Sequence, residues 1–195
     1  MGKRIAIIEG HPDPDPRRFN RALADAYAEG AKEAGHEVHR VRLGELDFPL
    51  IRTKEQWDAG KIPPVLEQAQ DSVAWAEHLV ILYPLWLGSM PALLKGFLEQ
   101  AMRPGFAIPS SAADGMHHKL LRGKSARIVV TMGMPSLFYR WYFRAHSLKS
   151  LERNILKFCG IKPVKETLVG MVDNLTSAKR AKWIETLQAL GRDGN

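Results

Sequence analysis

His78-Leu79-Val80-Ile81-Leu82-Tyr83-Pro84 is the stretch from which the fold can be read. Four consecutive aliphatic residues, closed by a tyrosine and stopped by a proline, describe a strand buried on both faces, the environment found at the centre of a parallel sheet. Weaker versions of the same signal lie on either side: Arg4-Ile-Ala-Ile-Ile8, the alternating His36-Glu-Val-His-Arg-Val-Arg42, Ala126-Arg-Ile-Val-Val-Thr131, and Lys165 to Val172. Between them run helical periodicities. One spans about Arg18 to Ala34, with Phe19, Leu23, Ala26 and Tyr27 facing inward and Gly35 ending it, and a second spans Val65 to Glu77. A third begins near Pro91, a fourth runs from about Phe138 to Phe158, and the last is Ser177 to Leu190 with Ser177 as its cap. Strand and helix in alternation predict an α/β fold: one doubly wound, five-stranded parallel sheet flanked by helices, with residues 1–195 as a single domain. Residues 46–64, rich in proline and charge and carrying Trp57, read as an irregular excursion.

Composition agrees with one substantial core. The chain has 195 residues, 45% of them hydrophobic, and a formal charge of +7. That excludes a disulfide-stapled miniature and a multidomain assembly. The positive charge is localised: residues 117–165 contain eleven Lys and Arg against one acid, Glu152. Apolar segments interrupt this region, and neither a recognition helix nor a basic-aromatic strand module is present, so nucleic acid is not the expected partner. Cys159, the single cysteine, reads as a buried structural thiol. The amino-terminal apolar run is too short for a signal sequence and no run reaches membrane-spanning length, so a cytoplasmic location is expected.

Doubly wound sheets bind ligands beyond the carboxyl ends of their strands, which directs attention to residues 9–20, 83–91 and 131–139. The first of these has neither a GxGxxG nor a Walker pattern. Its helix-start amides, with His11, Arg17, Arg18 and Asn20, suit an anion, although a proline-stiffened helix entry with arginines in solvent explains it as well. The second, Tyr83-Pro-Leu-Trp-Leu-Gly-Ser-Met-Pro-Ala92, offers apolar surface for a planar heteroaromatic ring or, equally, for core packing. The third, Thr131-Met-Gly-Met-Pro-Ser136, offers a hydroxyl, amides and a close approach at Gly133, or a structural turn. His117-His118 lack further spaced ligands, and no metal site is expected.

Gly10-His11 with Phe19-Asn20, Tyr83-Pro84-Leu85, Pro91-Ala-Leu-Leu-Lys-Gly-Phe97 and Thr131 to Gly133 occur in an order and spacing that resemble the flavodoxin-like NAD(P)H:quinone oxidoreductases. These include the modulator-of-drug-activity proteins and the accessory oxidoreductases of potassium efflux systems. The resemblance covers most of the chain. It implies a tightly bound flavin, FAD with FMN as the alternative, that takes hydride from NADPH or NADH and reduces quinones or related electron-poor aromatic acceptors. By the same resemblance His11, Arg17, Arg18, Phe19 and Asn20 match the phosphate-side loop, and Pro84, Leu85, Trp86, Leu87 and Gly88 the ring-side loop. Thr131, Met132, Gly133 and Met134 match the third loop, with Tyr139 and His146 as the catalytic pair. Arg17 and Arg18 stand where the family commonly has small hydroxyl residues, which implies either a phosphate held by guanidinium groups or an altered flavin affinity. Leu87 and Gly88 replace aromatic positions, and Met132 and Met134 depart from the usual Thr-Thr-Gly-Gly. His146 lies one position from the family histidine and reads equally as a structural histidine on a packed helix. The resemblance further implies a homodimer with sites near the interface, to which Trp57, Trp141 and Phe143 would contribute unless they pack within the chain, a reading that suits them equally. Its alternative reading is a flavin-binding electron-transfer or regulatory subunit of a membrane transporter.

Overall fold

The computed structural model describes residues 2–58, 60–110 and 120–195, so the histidine pair 117–118 lies outside the described residues. The strands are β1 (Arg4–Glu9), β2 (Glu37–Arg42), β3 (His78–Pro84), β4 (Ser125–Thr131) and β5 (Val164–Val169). All pair in parallel, in the order β2-β1-β3-β4-β5, with β3 at the centre as its composition requires. The helices are α1 (Phe19–Glu33), α2 (Lys54–Asp58), α3 (Pro64–Trp75), α4 (Ala92–Ala101), α5 (Ser136–Trp141), α6 (His146–Lys149) and α7 (Ser177–Arg192). α6 continues without a break into a π-helical stretch, Ser150–Lys157.

Alternation along each strand sorts the core onto two faces. Ile5, Ile7, Val80, Leu82 and Val129 pack against α1 and α7 through Leu23, Tyr27 and Leu187. Ala6, Ile8, Leu79, Ile81, Tyr83, Ile128 and Val130 face α3, α4 and the π-helical stretch through Leu66, Val73, Phe97, Leu98 and Leu151. α1 and α7 touch backbone to backbone: a Cβ at Gly30 would collide with the Gln188 carbonyl, and one at Gly191 with that of Tyr27. This contact fixes the direction in which α7 leaves the sheet. Cys159 is buried, as expected. Among the described residues no helix is long and apolar enough to cross a membrane.

Three boundaries differ from expectation. The helix read over 138–158 is broken after α5, where Arg144 and Ala145 adopt φ of 50° and 49°. Tyr139 supports the bend, its hydroxyl sharing a 2.7 Å hydrogen bond with Ser147 Oγ and accepting one from the Leu148 amide. β5 stops at Val169, not Val172, because Met171 takes a φ of 58° and the Met171 and Val172 amides turn back to the Met134 and Met132 carbonyls. The cap of α7 is Thr176, whose hydroxyl accepts from the Lys179 amide, and Ser177 is the first helical residue.

Candidate active site

The parallel order brings the carboxyl ends of β1, β3, β4 and β5 side by side, so the four segments that follow them share one edge of the sheet. Hydrogen bonds stitch those segments together. The Gly10 amide donates to the Leu82 carbonyl, and the Leu85 amide to that of Thr131, both at 2.7 Å. The Asn20 side-chain amide reaches Thr131 Oγ1, and the Val172 amide donates to the Met132 carbonyl. Between them opens a cleft of about 450 Å³.

Its first wall is the loop after β1 with the start of α1: His11, Arg17, Arg18, Phe19 and Asn20. The second is Pro84, Leu85 and Trp86, and the third Thr131, Met132 and Gly133. The last is Val172, Asp173 and Arg180, carried by the turn after β5 and the first turns of α7. Trp86 is about half exposed and meets the His11 ring edge-on at 6.0 Å. Asn20 is buried, and among the described residues its Oδ1 has no hydrogen-bond partner. Arg180 donates to the Val172 and Leu175 carbonyls and lies over the Phe19 ring, 4.9 Å from its centroid. No described carboxylate pairs with it.

The electrostatics of the first loop are local. His11 Nδ1 accepts the Asp13 amide, and burial, the largest influence, lowers its pKa; the ring is therefore neutral at pH 7, with its proton on Nε2. Arg17 grips Asp15, Nη2 to Oδ2 at 2.6 Å, and Arg18 grips Asp13 through Nε at 2.7 Å. Below the loop, Glu9 is buried beneath three guanidinium groups, Arg40 at 2.7 Å, Arg21 at 3.2 Å and Arg42 at 3.6 Å, tying β1, α1 and β2 together.

Most residues expected to surround a ligand therefore line one cleft, and the exceptions are specific. Leu87 and Gly88 form the tip of a tight turn closed by reciprocal 2.9 Å hydrogen bonds between Trp86 and Ser89, with φ of 47° and 75°. Leu87 points wholly into solvent and is not a wall of the cleft. Met134 is half-buried against the core, again outside the lining. Tyr139 and His146, expected at the active site, do not line this chain's cleft: the tyrosine is fully buried with its hydroxyl held inside the α5–α6 bend, and the histidine is exposed at the start of α6. The arginine pair, expected to be free for phosphate, is engaged by neighbouring aspartates. Sequence reasoning missed Val172, Asp173 and Arg180, because reading β5 as far as Val172 hid the fourth strand-end loop. The rule that selected the other three loops selects this one once the strand is cut at Val169.

A sequence profile of the flavodoxin-like fold matches residues 3–190. An NAD(P)H oxidoreductase of Haemophilus influenzae is 30% identical over 183 residues, covering 92% of this chain and 89% of the relative. This chain belongs to the flavodoxin-like NAD(P)H:quinone oxidoreductases. Within that family, an FMN-dependent NADH:quinone oxidoreductase of Ruegeria pomeroyi is 29% identical over 149 residues, covering 69% of this chain and 72% of its own. The solved structure of an NAD(P)H:quinone oxidoreductase from Methanothermobacter marburgensis superposes with a TM-score of 0.82 at 21% identity, over 99% of this chain and 97% of that one, and so shares the fold. Family membership makes the chain a flavin-dependent oxidoreductase. The cleft suits such a cofactor on its own terms. A half-exposed indole and Leu85 offer a wall for a planar ring, the orphaned Asn20 oxygen offers an acceptor, and the unpaired Arg180 offers a cation beside the start of α1.

Proposed function

We propose that the cleft binds FMN and that the protein uses NADH or NADPH to reduce quinones or related electron-poor aromatic acceptors. Four strand-end loops converging on one cleft, with Trp86 on one wall and on another an Arg180 that no described carboxylate pairs with, carry this reading. FMN takes precedence over the FAD suggested by resemblance alone. The cleft's volume lies at the lower end of the range for small-molecule sites, which suits a mononucleotide, and an FMN-dependent relative aligns over two thirds of the chain. FMN, when bound, would supply the hydride and electron-transfer chemistry that links the nicotinamide to the acceptor.

The chain's own groups bind and orient. Arg180, pre-set by two carbonyls and the Phe19 ring, would hold the phosphate together with the first amides of α1, which has no side-chain cap at Arg18. Leu85 and Trp86 would shield the ring from water, Asn20 Oδ1 would offer the cofactor an acceptor, and neutral His11 packs edge-on against Trp86. Tyr139 acts as a positioning residue through the α5–α6 bend, and His146 takes no part in this chain's cleft.

A second copy of the chain fits the outer face of α5. Leu137, Phe138, Trp141 and Tyr142 are exposed there, Trp141 at 86%, with Phe138 stacked on Tyr142 at 4.9 Å. Apolar clusters of this kind mark interaction surfaces. Light scattering of the wild type and of Trp141→Glu checks the dimer.

The decisive experiment is anaerobic reconstitution with FMN followed by stopped-flow absorbance with NADH, NADPH and a series of quinones. Flavin reduction followed by acceptor-dependent reoxidation supports the reading. Absence of bound flavin overturns it, and reduction without acceptor turnover favours the electron-transfer or regulatory alternative.

A further inference from the structure

Residues 12–17 read Pro-Asp-Pro-Asp-Pro-Arg, and the alternation has a chemical consequence. Pro12, Pro14 and Pro16 carry no N–H, so the main-chain donors in this segment are those of Asp13, Asp15 and Arg17 alone. All three are occupied by side chains two residues earlier: Asp13 N donates to His11 Nδ1 at 3.0 Å, Asp15 N to Asp13 Oδ1 at 2.9 Å and Arg17 N to Asp15 Oδ1 at 2.9 Å. The Arg18 amide donates to the Asp15 carbonyl at 3.1 Å. The two arginines are taken by the same carboxylates, Arg17 through Nε and Nη2 on Asp15 and Arg18 on Asp13. The segment therefore reaches the cleft with two negative and two positive charges in balance and no main-chain donor free before Phe19.

We infer that Asp13 and Asp15 are built-in anions that compete with the cofactor phosphate for the first loop, and so set both the affinity for FMN and the discrimination between phosphorylated and unphosphorylated flavin. The inference rests on the reading that the cleft holds a flavin. A phosphate must either displace a carboxylate from its arginine and amide or rely on Arg180 and the first amides of α1, and in both cases the two aspartates oppose it by like charge. The hydrogen bonds and ion pairs also hold both carboxyls below the usual carboxylate range, so the competing anions are charged at neutral pH.

The test uses the full chain and two ligands, FMN and riboflavin, which share the ring and differ in the phosphate. Asp13→Asn with Asp15→Asn preserves acceptors for the loop amides, removes both negative charges and releases the arginines. Flavin fluorescence quenching at low ionic strength should show FMN binding tightened about tenfold, close to 1.4 kcal/mol, with riboflavin binding unchanged. Salt should narrow the gap between variant and wild type, because the loop is exposed. The double alanine variant also frees the amides and should tighten FMN at least as much. Unchanged or weaker FMN binding in the asparagine variant overturns the inference, as does equal tightening of both ligands. If neither flavin binds wild type or variant, the flavin reading itself fails and the inference falls with it. Riboflavin binding without the FMN shift removes only the competing-anion role.

Discussion

The two ends of the sheet treat their polar groups differently. At the amino ends of the strands, charged and polar side chains are tied to neighbouring groups, mostly backbone carbonyls: Lys3 to Gly194, Arg127 and Tyr27 to the Asn195 carbonyl, Lys124 to Ala74 and Ala76. Arg127 is further held by Thr167 Oγ1 at 2.8 Å. At the carboxyl ends, Arg180 faces the cleft with no carboxylate paired to it among the described residues, Asn20 Oδ1 is likewise unpartnered, and Trp86 leaves half its surface to solvent. Hydrogen bonds at the lower end hold helices, strands and the last residues together. Groups left open at the upper end have value only when something else arrives, and this separates a binding edge from a structural one in a sheet whose core is continuous from end to end.

If that contrast is real, a substitution at the open end should change binding and leave stability nearly alone. Arg180→Met keeps an apolar side chain beside Phe19 and removes the guanidinium that lies over its ring, together with the bonds to the Val172 and Leu175 carbonyls. Loss of charge-assisted contact to phosphate should weaken FMN by about 2 kcal/mol, roughly thirtyfold, while riboflavin affinity and the midpoint of urea unfolding change little. Equal loss of both ligands would show that Arg180 shapes the cleft and does not read the phosphate.

The strands and the carboxyl-end position of the site were legible because both follow from short-range facts. Leu79 to Leu82 are apolar without alternation, so β3 had to be central, and the parallel order then brings the strand-end loops together. Arg180 was not legible. Its arrival at the cleft depends on how α7 packs on α1, and that is decided by backbone contact at Gly30 and Gly191, residues more than 150 positions apart. The engagement of Arg17 and Arg18 is a different case. It arises from carboxylates two residues before Arg17 and five before Arg18, a local relation written in Pro-Asp-Pro-Asp-Pro-Arg-Arg, but family analogy directed attention to the arginines and away from the aspartates. Tyr139 shows the same limit: its position in the motif suggested chemistry, whereas its burial and the bend after α5 give its hydroxyl an internal partner.

The lower end should respond to acid through a single buried ring. His78 is buried there, its Nδ1 2.7 Å from Ser125 Oγ and its Nε2 without a partner among the described residues. Burial first, and then the charges of Lys3, Arg127, Lys165 and His36, pull its pKa down to about 3. The folded state thus refuses a proton that the unfolded chain takes up near pH 6.5. The stability that this neutral histidine confers is complete above pH 6.5 and declines as the pH falls toward 3, by about 1.4 kcal/mol per pH unit. Urea unfolding across that range should show the slope, and His78→Asn, which keeps an acceptor for Ser125, should remove about one proton's worth of it. An unchanged slope would place the acid sensitivity elsewhere.

The smallest effect probes an exception to the contrast, an unpartnered polar atom at the upper end that the cleft does not reach. Tyr83 closes β3 just before Pro84; its ring is fully buried, burial raises its pKa, and its hydroxyl has no hydrogen-bond partner among the described residues. A buried hydroxyl without a partner costs about 1 kcal/mol or more relative to a ring that lacks it. Tyr83→Phe should therefore stabilise the protein by about 1 kcal/mol, a rise in Tm of about 2–4 °C for a chain of this size. Flavin affinity should not move, since Tyr83 is not a wall of the cleft. If the phenylalanine variant is instead less stable, the hydroxyl is hydrogen-bonded in solution; if it is as stable but binds FMN more weakly, the hydroxyl communicates with the cleft through Pro84, and the open end of the sheet extends one residue deeper than its lining.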